Sequence, residues 1–276
     1  MDVFCRDPPQ NSSRKRVALV HHVPFAVAHE DCLGARVEEA FLNTNHAKMY
    51  LAINTVAIES CVVGKSNLYR RSDLERVDGS LKFHTGEDEP LSRTRGLAAF
   101  GSFLAEDNMI ASALWHELDL RHDLACDTAN NAIGRMTLTD YVWRRVRWIR
   151  VRKHMVLAAT IAEPFTESFV ASTIAAASLW YLFSISPWLF FPLHLGAWLW
   201  VDFDVYESLA GHPVPRENRW HFICAWFIRE LLALPIFLLA IFGNEVVWRG
   251  ERYQVMEAGQ VKSSSTLATD EDLKRM

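Results

Sequence analysis

Two clusters in this sequence have the residue types and spacing to do chemistry. Glu106 and Asp107 stand side by side at the start of a helix-patterned stretch, Ala105 to Leu118. A carboxylate there gains from the unpaired backbone N–H groups of the first turn, which makes it either an ordinary first-turn acid or a general base able to accept a proton from an alcohol. Further on, Arg144 and Arg147 lie three residues apart, followed by Trp148. On a helix they share a face. Two guanidiniums so placed can grip a diphosphate through directed hydrogen bonds, and an indole beside them can stack on a sugar or a lipid. The same trio also suits simple anchoring at a membrane surface. A third pair, Arg229-Glu230, falls inside an apolar stretch, where charges are costly and face protein or water.

Several elements must position these groups. Val17–Val20, followed by His21-His22-Val23-Pro24, is expected to be a short buried strand ending at the proline. Ala35 to Met49 has helical spacing, with Val37, Phe41 and Leu42 on one face. Tyr50–Val63 is patchily β-branched and ends at Gly64, which suggests strand, then turn. Ser72-Asp-Leu-Glu75 has the form of a helix N-cap. Residues 79–96 make a polar loop whose acidic run, Glu87-Asp88-Glu89, is read as solvated. Leu118–Cys126 is expected to be a strand. Strands alternating with helices indicate an α/β front half.

From Asp140 the character changes. Arg144–Lys153 packs six cations among Trp143, Val146, Trp148, Ile149 and Val151, the composition of a helix lying in a membrane interface. Ser168 to Val201 then runs 34 residues without Asp, Glu, Lys or Arg. As one helix it would be about 51 Å long, too long for a hydrocarbon core of about 30 Å. Ser184-Ile-Ser-Pro187 in its middle is expected to divide it into two spans joined by a tight turn. Trp220 to Asn244 is a third apolar segment. The chain therefore divides into an atypical segment 1–16, a soluble α/β part 17–139, a basic amphipathic interfacial helix 140–157, a membrane region 165–244 with spans near 165–184, 187–203 and 221–243, and a polar tail 245–276.

Of the 276 residues, 29 are Lys or Arg and 33 are Asp or Glu. That balance excludes a bulk polycation for nucleic acid. The five cysteines (Cys5, Cys32, Cys61, Cys126 and Cys224) are widely spread with no C-x-x-C pair, which argues against a disulfide framework and a zinc site. Residues 1–16 lack the apolar core of a signal peptide.

Taken together, E-D at a helix start and R-x-x-R-W at the edge of a membrane segment resemble the family-2-like inverting glycosyltransferases. A middle element is present in Cys61-Val-Val-Gly64-Lys-Ser66-Asn-Leu-Tyr-Arg70-Arg71. Further motifs narrow the resemblance to the ceramide glucosyltransferase family. They are Leu19-Val-His-His-Val-Pro-Phe25, Asn45-His46 with Tyr50, Glu163-Pro164, Ala225-Trp-Phe-Ile-Arg-Glu230 and Trp248-Arg-Gly-x-x-Tyr253. The G-K-S-N-L-Y-R-R-S-D-L stretch and the F-H-T-G-E-D-E-P loop are similar to fungal members.

The resemblance implies the C-terminal part of a GT-A-like glycosyltransferase domain, then an interfacial helix and about three transmembrane helices. It implies Asp107 as the base, with Glu106 positioning it or the acceptor. Arg144 and Arg147 would hold the diphosphate, Trp148 would pack beside the acceptor, Gly64 and Ser66 would line the pocket floor, and His46 and Cys61 would lie near the donor. It implies UDP-glucose, ceramide and the lipid bilayer as partners, a divalent cation (Mg or Mn) as cofactor, and a multi-pass protein of the Golgi or endoplasmic reticulum with its catalytic part facing the cytosol. The family's membrane anchor and D-x-[DG] metal element have no counterpart in these residues, so the chain is expected to be the C-terminal part of such an enzyme. Two other readings share the motifs: a processive polysaccharide synthase, which needs more membrane helices than three, and an inactive membrane protein of the same ancestry.

Overall fold

The computed structural model describes residues 15–56, 61–79, 95–256 and 259–263. Residues 1–14 with Cys5, the Glu87-Asp88-Glu89 run and its loop, and the tail beyond Ser263 lie outside the described residues.

The chain opens with β1 (Val17–Ala28), helix α1 (Leu33–Phe41), a π-helical turn (Leu42–His46) and α2 (Ala47–Val56). Then follow β2 (Asn67–Tyr69), the single turn α3 (Arg71–Leu74), a 3-10 turn (Gly96–Phe100), α4 (Glu106–His116) and β3 (Arg121–Ile133). The helical part is α5 (Leu138–Met155), α6 (Leu157–Ala162), a 3-10 turn (Glu163–Thr166), α7 (Ser168–Phe183), α8 (Pro187–Ala210) and α9 (Arg219–Ile241). Three short strands close it: β4 (Glu245–Trp248), β5 (Glu251–Val255) and β6 (Val261–Ser263). The result is a mixed helix and sheet protein, with one sheet in the order β2-β1-β3 and a second in the order β4-β5-β6.

Pro24 does not end the first strand as expected; β1 runs through it. β2 pairs antiparallel with Leu19, Val20 and His21, and the His22 N–H reaches the Ser66 carbonyl at 3.3 Å. Two residues on, Pro24 faces the same side, beyond the end of β2, where a missing N–H leaves no ladder bond unmade. Further along that edge, helix side chains replace the absent strand. Asn43 accepts from the Ala26 N–H at 2.7 Å and donates to the Ala26 carbonyl at 2.8 Å, and the Glu39 carboxylate accepts from the Ala28 N–H at 3.2 Å. On the other edge the Arg121 N–H bonds the Arg16 carbonyl and the His29 N–H bonds the Ile133 carbonyl, so β3 runs parallel to β1.

The expected strand over Tyr50–Val63 is instead helix as far as Val56. β-branching opposes a helix by only tenths of a kcal/mol per residue, and burial of Tyr50, fully covered, outweighs it. Ser72 does not cap α3: Arg70 holds the cap position without a side-chain bond, and Arg71 pairs with Glu75 at 2.7 Å one turn on. The turn at Ser184-Ile-Ser-Pro187 is where it was expected, with Ser184 in the left-handed region at φ 55° and Pro187 at the first position of α8.

The chain forms two compact units. The first takes Met1–Pro24, Met49–Ala129 and Val247–Met276, and the second Phe25–Lys48 and Asn130–Val246. In the first unit Leu19, Tyr50, Val62, Phe100 and Leu114 are buried; in the second, Phe41, Tyr141, Ile149, Phe222 and Ile236 lie in one apolar core. Among the described residues one helix, Arg219–Ile241, is long and apolar enough to cross a membrane; Ser168–Phe183 is apolar but has 16 residues.

Candidate active site

Asp107 lies in the first turn of α4, as the sequence suggested, with Glu106 beside it and exposed. No side chain caps this helix at Ala105, so the carboxylates face unpaired N–H groups. The Asp107 Oδ1 accepts from the Asn108 N–H at 2.8 Å and from the Asn108 Nδ2 at 3.2 Å. The Gly64 N–H also bonds the carboxylate. Burial raises the proton affinity of Asp107 above the ordinary range; the Asn108 N–H opposes this, the Glu106 charge adds to it, and Gly64 and the Asn108 amide oppose it again. A half-buried carboxylate held by several donors and still raised is suited to receive a proton.

Gly64 lies beside the Asp107 carboxylate, and its lack of a side chain matters. A Cβ there would stand 3.1 Å from Asp107 Oδ2. Cys61 lies on the same loop, with its carbonyl accepting from the Asn54 side chain at 3.0 Å. Ser66 closes the loop against β1: its Oγ meets His22 Nδ1 at 3.1 Å and its carbonyl accepts from the His22 N–H.

Behind the loop lies a pair that sequence reasoning passed over as chemistry. Tyr50 hydrogen-bonds His21 Nδ1, and the two rings meet edge to face with centroids 5.4 Å apart. Burial lowers the His21 pKa to about 4, with neighbouring His22 adding to the effect. Burial likewise pushes the Tyr50 hydroxyl well up. Both residues stand in motifs quoted above, but nothing in their spacing says that they touch.

Arg144, Arg147, Trp148 and His46 belong to the second unit. Helix α5 is set by a capping box in which Thr137 accepts from the Asp140 N–H at 3.1 Å and the Asp140 carboxylate accepts from the Thr137 N–H at 2.9 Å. Gly34 of α1 permits the close approach at this point, since a Cβ there would overlap the Thr137 carbonyl. The two arginines are not equivalent. Arg144 Nε is paired with Glu38 at 2.8 Å, and Glu38 is fully buried. Arg147 makes no hydrogen bond or ion pair among the described residues, and burial followed by repulsion from Arg144 lowers its proton affinity.

The arginine stripe expected to face lipid headgroups is turned inward at several points. Arg145 is buried and lies 3.6 Å over the Phe41 ring, Arg152 pairs with Glu163, and Arg150 donates to the Glu245 carbonyl at 2.5 Å. His46 leaves the π-helical turn against Trp148, centroids 5.9 Å apart, with Arg144 over the same indole at 5.1 Å. Burial, then the charges of Arg145, Arg152 and Arg144, lowers the His46 pKa to about 3. It is a neutral, buried ring beside the arginine cluster.

Among the described residues no group of three or more His, Cys, Asp or Glu side chains could hold a metal ion. They therefore do not supply a site for the divalent cation that the resemblance implies.

Comparison with known proteins agrees with the motifs. The model for glycosyl transferase family 21 matches residues 7–261. The ceramide glucosyltransferase of Komagataella phaffii is 35% identical over 89% of this chain and 57% of its own length. That of Candida albicans is 34% identical over 81% of the chain and 48% of its own length, and ceramide glucosyltransferase 1 of Caenorhabditis elegans is 26% identical over 91% and 50%. The chain thus spans about half the length of the curated relatives it matches. No solved structure matches it. With its E-D helix start, its R-x-x-R-W helix and a family match over most of its length, the chain belongs to glycosyl transferase family 21.

Proposed function

We propose that this chain carries the acceptor-activating part of a ceramide glucosyltransferase, which moves glucose from UDP-glucose to the primary hydroxyl of ceramide with inversion. The observation that carries this reading is the Asp107 carboxylate at the N-terminus of α4, half-buried, with raised proton affinity and fixed by Asn108 and Gly64. Asp107 takes the proton of the lipid hydroxyl. The oxygen attacks the anomeric carbon as the bond to the diphosphate breaks, UDP departs, and an α-linked donor gives a β-linked product. Arg147, which makes no ion pair among the described residues, offsets the charge that grows on the leaving diphosphate, while Arg144, tied to Glu38, stacks on Trp148 and orients it.

A lipid acceptor calls for a membrane seat. The reading is of α7, α8 and α9 as three crossings, with the catalytic part on the cytosolic side of a Golgi or endoplasmic-reticulum membrane. Supporting it, Tyr181, Trp188, Trp200, Trp220 and Phe242 are each more than 70% exposed on or beside those helices. Such a density of bare aromatic surface suits lipid and headgroup contact.

The test is Asp107→Asn. The amide has nearly the volume of the acid but cannot act as a base, so glucosylceramide formation should fall by about 10²–10⁴. Near-wild-type formation, in a host without its own ceramide glucosyltransferase, would overturn the reading.

A further inference from the structure

The loop that carries Gly64 is fastened at four successive residues by side chains of two helices. The Cys61 carbonyl accepts from Asn54 Nδ2 of α2 at 3.0 Å, and the Val62 N–H donates to Asn108 Oδ1 of α4 at 3.1 Å. The Val63 N–H bonds the Tyr50 hydroxyl of α2, and the Gly64 N–H bonds the Asp107 carboxylate of α4. The chain here has no strand or helix to satisfy its backbone, and buried backbone groups need partners. These side chains do for residues 61–64 what a neighbouring strand would do.

Asn108 has a double role in this arrangement. Its amide oxygen holds the loop through Val62, while its backbone N–H and its amide nitrogen both hold Asp107 Oδ1. We propose that Asn108 is the positioning residue of the catalytic carboxylate: it fixes Asp107 on one side and, through Val62, fixes the loop whose Gly64 N–H closes on the same carboxylate. The proposal rests on the reading of Asp107 as the base and adds how that base is kept in one orientation.

The physical consequence is directional. Donors to a carboxylate stabilise its charged form, so removing the Asn108 amide leaves Asp107 easier to protonate. Among the described residues the charge acting on Asp107 is that of Glu106 on α4, a like charge; Tyr50 on α2 interacts with both Asp107 and Cys61 of the loop, and Lys65 follows Gly64 on that loop. Asn54 gives the contrast, since it holds the same loop by Cys61 without touching Asp107.

The experiment is a titration that needs no turnover. Carboxyl carbons of aspartate, labelled with carbon-13 in the chain held in lipid nanodiscs, are followed by NMR against pH, with the Asp107 signal assigned by its loss in Asp107→Asn. Asn108→Ala should raise the Asp107 midpoint by about one pH unit, the size of one hydrogen bond to a charged group. Asn108→Asp keeps an acceptor for the Val62 N–H, loses the donor and adds a charge, so it should raise the midpoint further. Asn54→Ala should leave it in place. An unmoved midpoint in Asn108→Asp, or an equal shift in Asn54→Ala, would overturn the proposal. If Asn108→Ala does not fold, the Asn108→Asp and Asn54→Ala pair decides alone. Transfer that survives Asp107→Asn would sink the function while leaving this titration intact, so the two failures are distinct.

Discussion

At the scale of single residues, the site is made by small distances around a carboxylate. Gly64→Ala brings a methyl within 3.1 Å of Asp107 Oδ2, tighter than ordinary van der Waals contact, with the loop held on both sides of it. The acid must move or the loop must yield, and steady-state kinetics should show kcat lower by roughly 10- to 100-fold. Two histidines make the protein acid-sensitive. His46 and His21 are neutral and buried, with pKa values of about 3 and about 4 against an ordinary 6.5. Between those values the unfolded chain binds protons that the folded one refuses, so their contribution to stability is complete above about pH 6.5 and is lost as pH falls toward 3. Each costs about 1.4 kcal/mol per pH unit in that window. Melting followed from pH 7 to 4.5 should steepen below 6.5, and His46→Gln should remove about one proton's worth of that slope.

At the scale of elements, α9 is held by charges that its sequence made look out of place. Arg229 is almost fully buried, 3.1 Å from Glu167, in contact with Glu230 and 4.0 Å from Asp202. Glu167 also accepts from Asn45 at 2.8 Å, while Asp202 accepts from the Trp226 indole at 2.6 Å and pairs with Lys48 at 2.6 Å. The adjacent Arg229 and Glu230 do meet, and four further elements join them: the Glu167 end of the 3-10 turn, α8, the π-helical turn with Asn45 and the start of α2. Arg229→Met would leave buried carboxylates without their shared cation, so thermal unfolding in detergent should show a loss of about 3–5 kcal/mol. Glucosylceramide formation should fall with the amount of folded protein, since Arg229 is given no part in the chemistry.

For the whole molecule, the prediction is one of sidedness. If α7, α8 and α9 cross as proposed, with Arg144–Lys153 on the cytosolic side, a tag at the C-terminus lies in the lumen. In sealed microsomes that tag should survive protease until detergent is added. Digestion without detergent would mean an even number of crossings. The two compact units divide the expected chemistry between them, Asp107 and Gly64 in the first, Arg144, Arg147, Trp148 and His46 in the second.

What the sequence determined by itself was whatever depends on neighbours along the chain. The E-D start of α4, the helical course of Arg144 to Trp148 and the break at Ser184 to Pro187 are local, and the residues there carry their own instructions in helix-start acids, 3.6-residue spacing and a proline. The same holds for the family, whose motifs are ordered strings. The tertiary structure decided the rest, because contacts between distant residues leave no local pattern. Nothing near Arg144 says that Glu38 will neutralise it, and nothing near Pro24 says that β2 will already have ended. Tyr50–Val56 turned from expected strand to helix for the same reason: weak backbone preference yields to the burial of one aromatic ring. Asn108 looked like any polar residue of a first helical turn until the 61–64 loop, more than 40 positions earlier, was found resting on it.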